Sequence, residues 1–173
     1  MGGAAKPLLV VDGATILARQ RALLAPRARE IILALAVPGP LADAGLRAVY
    51  DRVADAGPLA GIAAALAAIE TPWLLAIAGD MPAVSPAVLD LLGALATGEV
   101  DAVTPRLGGL PEPLCALWHR RALPFLDARL ARGACKVAAA LDDLRVAWLD
   151  EPAIRAVDPA LASFRNLNHP GEL

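Results

Sequence analysis

Short uninterrupted apolar runs alternate along the chain with longer segments rich in alanine and leucine. Two of the runs, IILALAV at residues 31–37 and WLLAIA at residues 73–78, are apolar at every position instead of alternating with polar residues. Runs of this kind are typical of strands that are covered on both faces of a sheet. The pattern predicts strands over residues 31–37, 47–50, 73–78, 101–105, 114–118 and 146–149.

The segments between these runs predict helices over residues 15–24, 59–69, 86–96, 121–131 and 136–141. Gly57-Pro58 precedes the second helix, and Ser85 is expected to cap the third, with Pro86 in its first turn. Regular alternation of strand and helix predicts a mostly parallel sheet with helices on both faces. The strands after residue 101 follow one another closely, so we expect an antiparallel excursion there. One α/β domain over residues 1–173 is the predicted organisation.

Composition narrows the class of protein. The chain has 173 residues, the length of one domain, and 57% of them are hydrophobic, which excludes a disordered chain. A net charge of −2 predicts neither a nucleic-acid partner nor an anionic membrane. The longest uncharged run, residues 56–69, is shorter than the roughly 18 residues that cross a bilayer. Cys115 and Cys135 lack the spacing of a disulfide framework or zinc site, so we expect a soluble cytoplasmic protein.

Asp80 is the strongest candidate for chemistry, because ligands bind beyond the carboxyl ends of strands in α/β sheets. It follows an apolar strand and precedes Met81-Pro82. A carboxylate there needs a cation, a hydrogen-bond donor or water to offset its desolvation. Mg²⁺ fits, since it favours one or two carboxylates together with substrate phosphates. The alternative is that Asp80 caps the following turn at residues 83–85.

A glycine-flanked segment, GPLAG, opens the most alanine-rich helix. Its residues are Gly57, Pro58, Leu59, Ala60 and Gly61. The glycines allow a ligand to approach the backbone closely, and the helix N-terminus offers unpaired N–H groups. The alternative is tight packing of the helix on the sheet.

Four further residues are weaker candidates. Asp51 in a loop can accept hydrogen bonds from ribose hydroxyls or form a turn, and Lys6 can bind phosphate or be solvated. Asn166 and Asn168 share one face of an extended segment, which suits ligand contact or loop stabilisation. The two histidines are not placed for a nucleophilic triad.

Taken in order, these segments resemble the molybdenum cofactor guanylyltransferase family. The resemblance covers nearly the whole chain and is carried by Lys6, Gly13, Asp51, the GPLAG segment, Gly79-Asp80-Met81-Pro82, Glu112-Pro113-Leu114, and Phe164, Asn166, Asn168 and Pro170. It implies a Rossmann-like nucleotidyltransferase fold and the transfer of GMP from GTP to molybdopterin with release of pyrophosphate. The implied partners are GTP, molybdopterin and other proteins of molybdenum cofactor biosynthesis.

The resemblance also implies a role for each candidate residue. Lys6 and Asp80 would be catalytic, with Lys6 neutralising phosphate charge and Asp80 binding Mg²⁺ between the nucleotide phosphates. Asp51 would contact the guanosine, as would Gly57, Pro58, Leu59 and Gly61 of the GPLAG segment. Asn166 and Asn168 would bind the second substrate near the metal.

The sequence departs from the family pattern at its beginning. The family starts with a strand and a glycine-rich LAGG-type loop; here that first strand and loop are missing, and Ala5 stands where the family has an aspartate before Lys6. Three interpretations stay open. Met1 is an internal methionine of a longer chain, or the chain is a diverged, non-catalytic binding domain, or it is a related transferase such as a molybdopterin cytidylyltransferase. The GPLAG segment favours the guanylyl branch.

Overall fold

A computed structural model describes residues 6–167, which form nine strands and six α-helices. In chain order these are β1 (Val10–Val11), β2 (Ala14–Thr15), α1 (Ile16–Leu24), β3 (Ile32–Leu35), β4 (Arg47–Tyr50), α2 (Pro58–Ala68), β5 (Trp73–Ile77), α3 (Pro86–Leu95), β6 (Ala102–Leu107), β7 (Leu110–Pro111), β8 (Cys115–His119), α4 (Leu123–Ala131), α5 (Val137–Ala140), β9 (Val146–Asp150) and α6 (Glu151–Arg155). Among the residues described, no helix is long and apolar enough to cross a membrane.

All predicted strands and helices are present, with bounds that differ from the prediction by at most two residues. The sequence did not reveal the β1–β2 hairpin, β7 or α6. Ser85 is the N-cap residue of α3 and Pro86 lies in its first turn, as predicted, but the Ser85 side chain makes no capping hydrogen bond; its backbone N–H donates to Ser163 Oγ at 2.9 Å. Thr15 does cap a helix, since its hydroxyl accepts from the N–H of Ala18.

The sheet is mixed and contains parallel pairs, so the prediction of a mostly parallel sheet is confirmed only in part. The five-stranded sheet has the order β5-β8-β6-β7, and β9 also pairs with β6. Within residues 6–167 the β6–β9 pair is the only parallel one in this sheet, while β3 and β4 form a separate parallel pair. The cause is a hairpin turn at Gly108 and Gly109, both with positive φ, after which β8 runs back between β5 and β6. This is the antiparallel excursion that the sequence predicted.

Helices cover both faces of the five-stranded sheet, as predicted. Alternate strand residues point to opposite faces, so Ala102 and Trp118 pack with α2, α4 and α5, whereas Val103 and Cys115 pack with α3 and α6. Trp118 is fully buried. Within residues 6–167 no strand lies between β3 and β5, and α2 packs against both.

A buried carboxylate, Asp101, holds the start of β6. Arg145 donates to it from Nε at 2.9 Å and from Nη2 at 2.8 Å, and Arg121 donates from Nε at 3.1 Å. The hydrogen bonds from Arg145 hold the pKa of Asp101 far below its ordinary range, although burial alone would raise that pKa. Ionised Asp101 therefore stabilises the fold.

We expect Asp101→Asn to lower the free energy of unfolding by about 2 kcal/mol at pH 7, because hydrogen bonds to a charged group are lost. The folded-state pKa is depressed, so this stabilisation is complete above the unfolded pKa of about 3.9 and declines below it. Urea unfolding between pH 7 and pH 3 should show that the free energies of unfolding of the variant and the wild type become more similar below about pH 4. Asp90→Asn, which breaks an exposed pair with Arg27, should cost less than about 0.5 kcal/mol. Equal effects of the two variants would contradict this role of Asp101.

Candidate active site

Asp80 lies in a turn at the carboxyl end of β5, and the structure fixes this turn from several sides. The N–H of Ala78 donates to Leu114 O at 2.8 Å, and that of Met81 donates to Ala78 O at 3.2 Å. The buried amide of Gln20 donates from Nε2 to Ala78 O at 2.8 Å and to Met81 O at 3.0 Å. The backbone that carries Asp80 is thus held in place before any ligand binds.

Lys6 and Asp80 are in direct contact. Lys6 Nζ donates to Asp80 Oδ2 at 2.9 Å, and the side chains are 45% and 19% exposed. The contact depends on Gly79, because a Cβ at that position would lie 2.6 Å from Cγ of Pro7. The carboxylate bonds Lys6 and not the turn at residues 83–85, so the alternative that Asp80 is a turn cap is wrong.

The C-terminal segment of the described chain also contacts the turn that carries Asp80. The N–H of Leu167 donates to Asp80 O at 2.8 Å, which puts the exposed Asn166 next to the turn. Upstream, the carboxylate of Asp158 accepts two backbone N–H groups of the turn that leads into this segment. Asn168 lies outside the described residues, so its predicted role stays a prediction.

Asp51 and the GPLAG segment form a second group of candidate residues. Gly57, with φ +63°, precedes the first residue of α2. A Cβ on Gly61 would lie 3.6 Å from Asp51 Oδ1, so the carboxylate rests over the first turn of the helix. Burial raises the pKa of Asp51. Leu59 is fully buried in the core, which leaves only its backbone available to a ligand.

An open cleft of about 1710 Å³ joins the two groups. Pro7 and Gly79 line it beside Asp80, while Asp51, Gly57 and Gly61 line the opposite side. The carboxyl ends of β4 and β5 therefore face each other across this cleft, as expected for a ligand site in an α/β fold.

The donor set at Asp80 suits one kind of metal. No cluster of three or more His, Cys, Asp or Glu side chains that could hold a metal occurs among residues 6–167. A lone carboxylate does not hold Zn²⁺ or Ca²⁺ by itself, but it fits Mg²⁺, which keeps several waters and takes further ligands from substrate phosphates. The contact with Lys6 Nζ shows that this carboxylate is accessible to a cation.

Sequence reasoning missed three residues that support the site. Gln20 lies on the buried face of α1. A polar residue among the apolar positions of that face was the sequence signal that could have pointed to it. Arg19 donates from Nη1 to Val11 O and from Nε to Pro82 O, which ties the β1–β2 hairpin to the end of the Asp80 turn. The contact of Pro7 with Gly79 joins residues far apart in sequence and had no local signal.

Cys115 and His119 have shifted pKa values but are not placed for chemistry at the site. Burial raises the pKa of Cys115 to about 12, so its thiol is inert at neutral pH. His119 pairs with Trp73 at the amino end of β5, the end opposite Asp80, and burial lowers its pKa. His169 lies outside the described residues, so the prediction that neither histidine serves in a nucleophilic triad stays a prediction.

We expect Gly79→Ala to lower the free energy of unfolding by about 1–3 kcal/mol, because the added methyl group overlaps the ring of Pro7. Pro7→Ala combined with Gly79→Ala should recover most of that loss in a thermal unfolding experiment. Gly93→Ala in α3 is the matched control: its Cβ would meet nothing within 4 Å, and alanine favours a helix. A double variant as unstable as Gly79→Ala would contradict the proposed contact.

Comparison with known proteins identifies the family. Residues 1–146 match the MobA-like NTP transferase domain. A probable molybdenum cofactor guanylyltransferase of Methanosarcina mazei is 34% identical over 97% of this chain and 80% of its own length. The molybdenum cofactor guanylyltransferase of Desulfosudis oleivorans is 31% identical over 99% of this chain and 85% of its own length.

Solved structures agree with this relationship. Molybdopterin-guanine dinucleotide biosynthesis protein A of Archaeoglobus fulgidus superposes with a TM-score of 0.79 at 26% identity, over 95% of this chain and 85% of that one. The 2-C-methyl-D-erythritol 4-phosphate cytidylyltransferase of Thermus thermophilus shares the fold, with a TM-score of 0.68 at 20% identity over 95% of this chain and 88% of that one. The chain belongs to the MobA-like NTP transferase family of nucleotidyltransferases.

Proposed function

We propose that this chain transfers GMP from GTP to molybdopterin, with Lys6 and Asp80 at the reacting phosphates. The observation that carries the proposal is the contact between Lys6 Nζ and Asp80 Oδ2 at the carboxyl end of β5, across a cleft from Asp51 and the start of α2. The names of its relatives in Methanosarcina mazei and Desulfosudis oleivorans support guanylyl transfer as the reaction.

The reaction is a direct displacement at phosphorus. A phosphate oxygen of molybdopterin attacks the α-phosphorus of GTP, the new P–O bond forms, and the bond to the departing pyrophosphate breaks. No covalent intermediate with the protein is needed, which agrees with the inert thiol of Cys115. Positioning and electrostatic stabilisation then supply most of the rate enhancement.

Lys6 and Asp80 divide the charge stabilisation between them. Asp80 would hold Mg²⁺, which when bound neutralises negative charge on the nucleotide phosphates. Lys6 is nearly half exposed at the cleft edge, and the flexible stem of a lysine lets its ammonium group reach a phosphate beside Asp80. Gln20 keeps the turn of Asp80 in place while charge shifts from the α-phosphate to the pyrophosphate.

Asp51 and α2 would recognise the nucleoside. Unpaired N–H groups in the first turn of a helix and its positive dipole end attract electron-rich groups. An ionised Asp51 accepts hydrogen bonds only, and the 2-amino and N1–H groups of guanine are donors, whereas cytosine offers one amino group. A carboxylate here therefore favours guanine.

Asn166 would serve the second substrate. Its segment is tied to the turn of Asp80 through the N–H of Leu167, and the Asn166 side chain is exposed at that edge. An amide NH₂ group donates to phosphate oxygens without adding charge. Asn166 is therefore suited to orient the molybdopterin phosphate, and Asn168 is proposed to share this role.

The proposal is tested by formation of the guanine dinucleotide and pyrophosphate from GTP, molybdopterin and Mg²⁺. We expect Asp80→Asn to lower turnover by about 100-fold or more and Lys6→Ala by about 10- to 100-fold, because each removes charge stabilisation at the phosphates. Asp142→Asn, at an exposed position that does not line the cleft, should leave turnover unchanged. Circular dichroism spectra of the variants should match wild type.

The alternative functions give different results in the same assay. Transfer of CMP from CTP in preference to GMP would identify a cytidylyltransferase. Absence of transfer with either nucleotide would overturn the enzymatic proposal and leave a non-catalytic binding domain. Wild-type turnover in Asp80→Asn would overturn the role of Asp80.

Base preference gives a second prediction, on Asp51. Isothermal titration with Mg²⁺ present should show GTP binding at least about 10-fold tighter than CTP, since a well-placed carboxylate is worth roughly 1–3 kcal/mol of base discrimination. Because burial raises the pKa of Asp51, GTP affinity should fall as the pH drops toward that pKa, where the carboxylate takes up a proton. Asp51→Asn should bind GTP more weakly and lose this pH dependence. An unchanged pH profile in the variant would exclude Asp51 as the acceptor.

A further inference from the structure

The carboxylate of Glu112 is half-buried and has no partner. Among residues 6–167 its side chain accepts no hydrogen bond and forms no ion pair. Burial raises the pKa of Glu112, and no donor or cation of the described chain opposes that rise. Removing a carboxylate from water costs free energy unless a donor or a cation replaces the water. This carboxylate is therefore suited to a ligand that brings its own hydrogen-bond donors.

A second carboxylate at the same end of β6 shows what a structural role looks like. Glu151 Oε2 accepts from the N–H of Gly108 at 2.8 Å, and its Oε1 accepts from Nε of Arg155 at 2.7 Å. The hydrogen bond from Gly108, followed by that from Arg155, lowers the pKa of Glu151. Glu151 thus ties the turn between β6 and β7 to α6, whereas the Glu112 side chain ties no element to another.

Backbone hydrogen bonds hold Glu112 beside the turn that carries Asp80. The N–H of Glu112 donates to Pro105 O at 2.9 Å. Proline has no N–H to return a hydrogen bond, so the pairing of this segment with β6 ends here and the chain turns toward β8. Within that turn, Leu114 O accepts from the N–H of Ala78, two residues before Asp80, at 2.8 Å. The backbones that carry Glu112 and Asp80 are therefore joined.

The side chain of Glu112 lies on the face of the sheet that α3 and α6 cover. Glu112 is opposite Pro105, which pairs with Leu149 of the core on that face, and opposite residues of an antiparallel pair point to the same side. The Glu112 carboxylate also adds to the effect of burial in raising the pKa of Cys115, which packs in the same core. Leu110, two residues before Glu112, shares this face and is 70% exposed. A carboxylate and an exposed apolar side chain are thus neighbours.

The C-terminal segment of the described chain crosses the same face. Phe164 packs on the core that contains Cys115, and the N–H of Leu167 donates to Asp80 O at 2.8 Å. Asn166 lies between these two residues and is exposed. Asn166 and Glu112 are therefore on one face and at one end of the sheet.

The width of one strand separates the turn of Asp80 from Glu112. β8 lies between β5 and β6, and neighbouring strands are about 4.8 Å apart, so the ends of β5 and β6 are about 10 Å apart. The cleft proposed for GTP is on the other side of β5, where Pro7 and Gly79 line it. A second substrate with its phosphate beside Asp80, on the side away from the cleft, therefore extends toward Glu112.

We propose that Glu112 recognises the pterin ring of molybdopterin, by accepting hydrogen bonds from its exocyclic amino group and the adjacent ring N–H while Leu110 packs against the ring. This assignment rests on the proposed function, because the reacting phosphate is what directs the ring toward Glu112. Two adjacent N–H donors match the two oxygens of a carboxylate. The phosphate of molybdopterin is at the opposite end of the molecule from these donors, so one substrate reaches both Asp80 and Glu112.

Two other roles of Glu112 fit the structure less well. Two oxygens that share one Mg²⁺ each lie about 2.1 Å from it and are thus at most about 4 Å apart, whereas the strands that lead to Asp80 and Glu112 end about 10 Å apart. Guanine carries the same pair of donors as pterin, but the cleft residue proposed for guanine is Asp51, and Glu112 does not line that cleft.

The test is a fluorescence titration of the whole chain, with Mg²⁺ present, with the phosphate ester of hydroxymethylpterin. The same ester of hydroxymethyllumazine, in which an oxo group replaces the amino group, is the comparison ligand. We expect wild type to bind the pterin ester at least about 10-fold more tightly than the lumazine ester, because the oxo group repels the carboxylate. Glu112→Gln should bind the pterin ester about 10-fold more weakly and reduce the preference to less than about 3-fold. Glu99→Gln, at an exposed position before the amino end of β6, is the matched control and should behave as wild type.

Two further measurements separate recognition from a structural role. Leu110→Ala should weaken binding of both esters by a similar factor, since packing against the ring does not distinguish the two ligands. Glu112→Gln should unfold at the same temperature as wild type or at a higher one, because it removes a half-buried charge without a partner.

Several results would overturn the assignment. They are absence of binding of either ester to wild type, a preference for the pterin ester that survives Glu112→Gln, and a lower unfolding temperature of that variant. Weaker GTP binding by Glu112→Gln, with unchanged affinity for the pterin ester, would assign the carboxylate to guanine instead. The ester titrations use neither GTP nor turnover, so their failure is distinct from a failure of GMP transfer.

Discussion

The packing of α2 is the constraint on which the candidate active site depends. This helix contacts the β3–β4 pair and also β5 of the larger sheet. It can lie close to both because its contact surface is built from alanine and glycine, with Gly61 so near Ala34 that an added Cβ would lie 3.3 Å from that side chain. Leu59 and Leu66 are fully buried and fix its rotation. The helix thereby sets where its own N-terminus and Asp51 lie relative to Asp80.

The second constraint is the turn that carries Asp80. Its backbone is held by hydrogen bonds from Gln20 and by a hydrogen bond to the residue preceding β8, and its side chain is paired with Lys6. Groups aimed in advance at developing charge stabilise a transition state without the cost of reorganising, which is why a fixed carboxylate is more effective than a mobile one. The rigid backbone of this turn places the Asp80 carboxylate. The exposed, flexible side chain of Lys6 would let its ammonium group reach the phosphates.

Local patterns in the sequence predicted the longer elements and the first candidate residue, because both depend on neighbours along the chain. The apolar run at residues 73–78 revealed a strand, and Asp80 was found because it follows that strand. The mixed pairing was harder: insertion of β8 between β5 and β6 depends on which edges meet in space, which no local pattern states. Pro7 against Gly79 and Gln20 beneath the turn are likewise long-range contacts, and their sequence signals are weak or absent.

The strand β5 and the candidate active site are physically connected. Pro7 and Gly79 line the cleft at its carboxyl end, and the same two residues set the approach of Lys6 to Asp80. A ligand in the cleft therefore lies beside the backbone that positions both charged groups. Local preferences and tertiary surroundings agree in most of a natural sequence, and the wholly apolar β5 ends directly at the turn that carries Asp80. Because the turn continues directly from this strand, the packing of β5 acts on the geometry of the phosphate site.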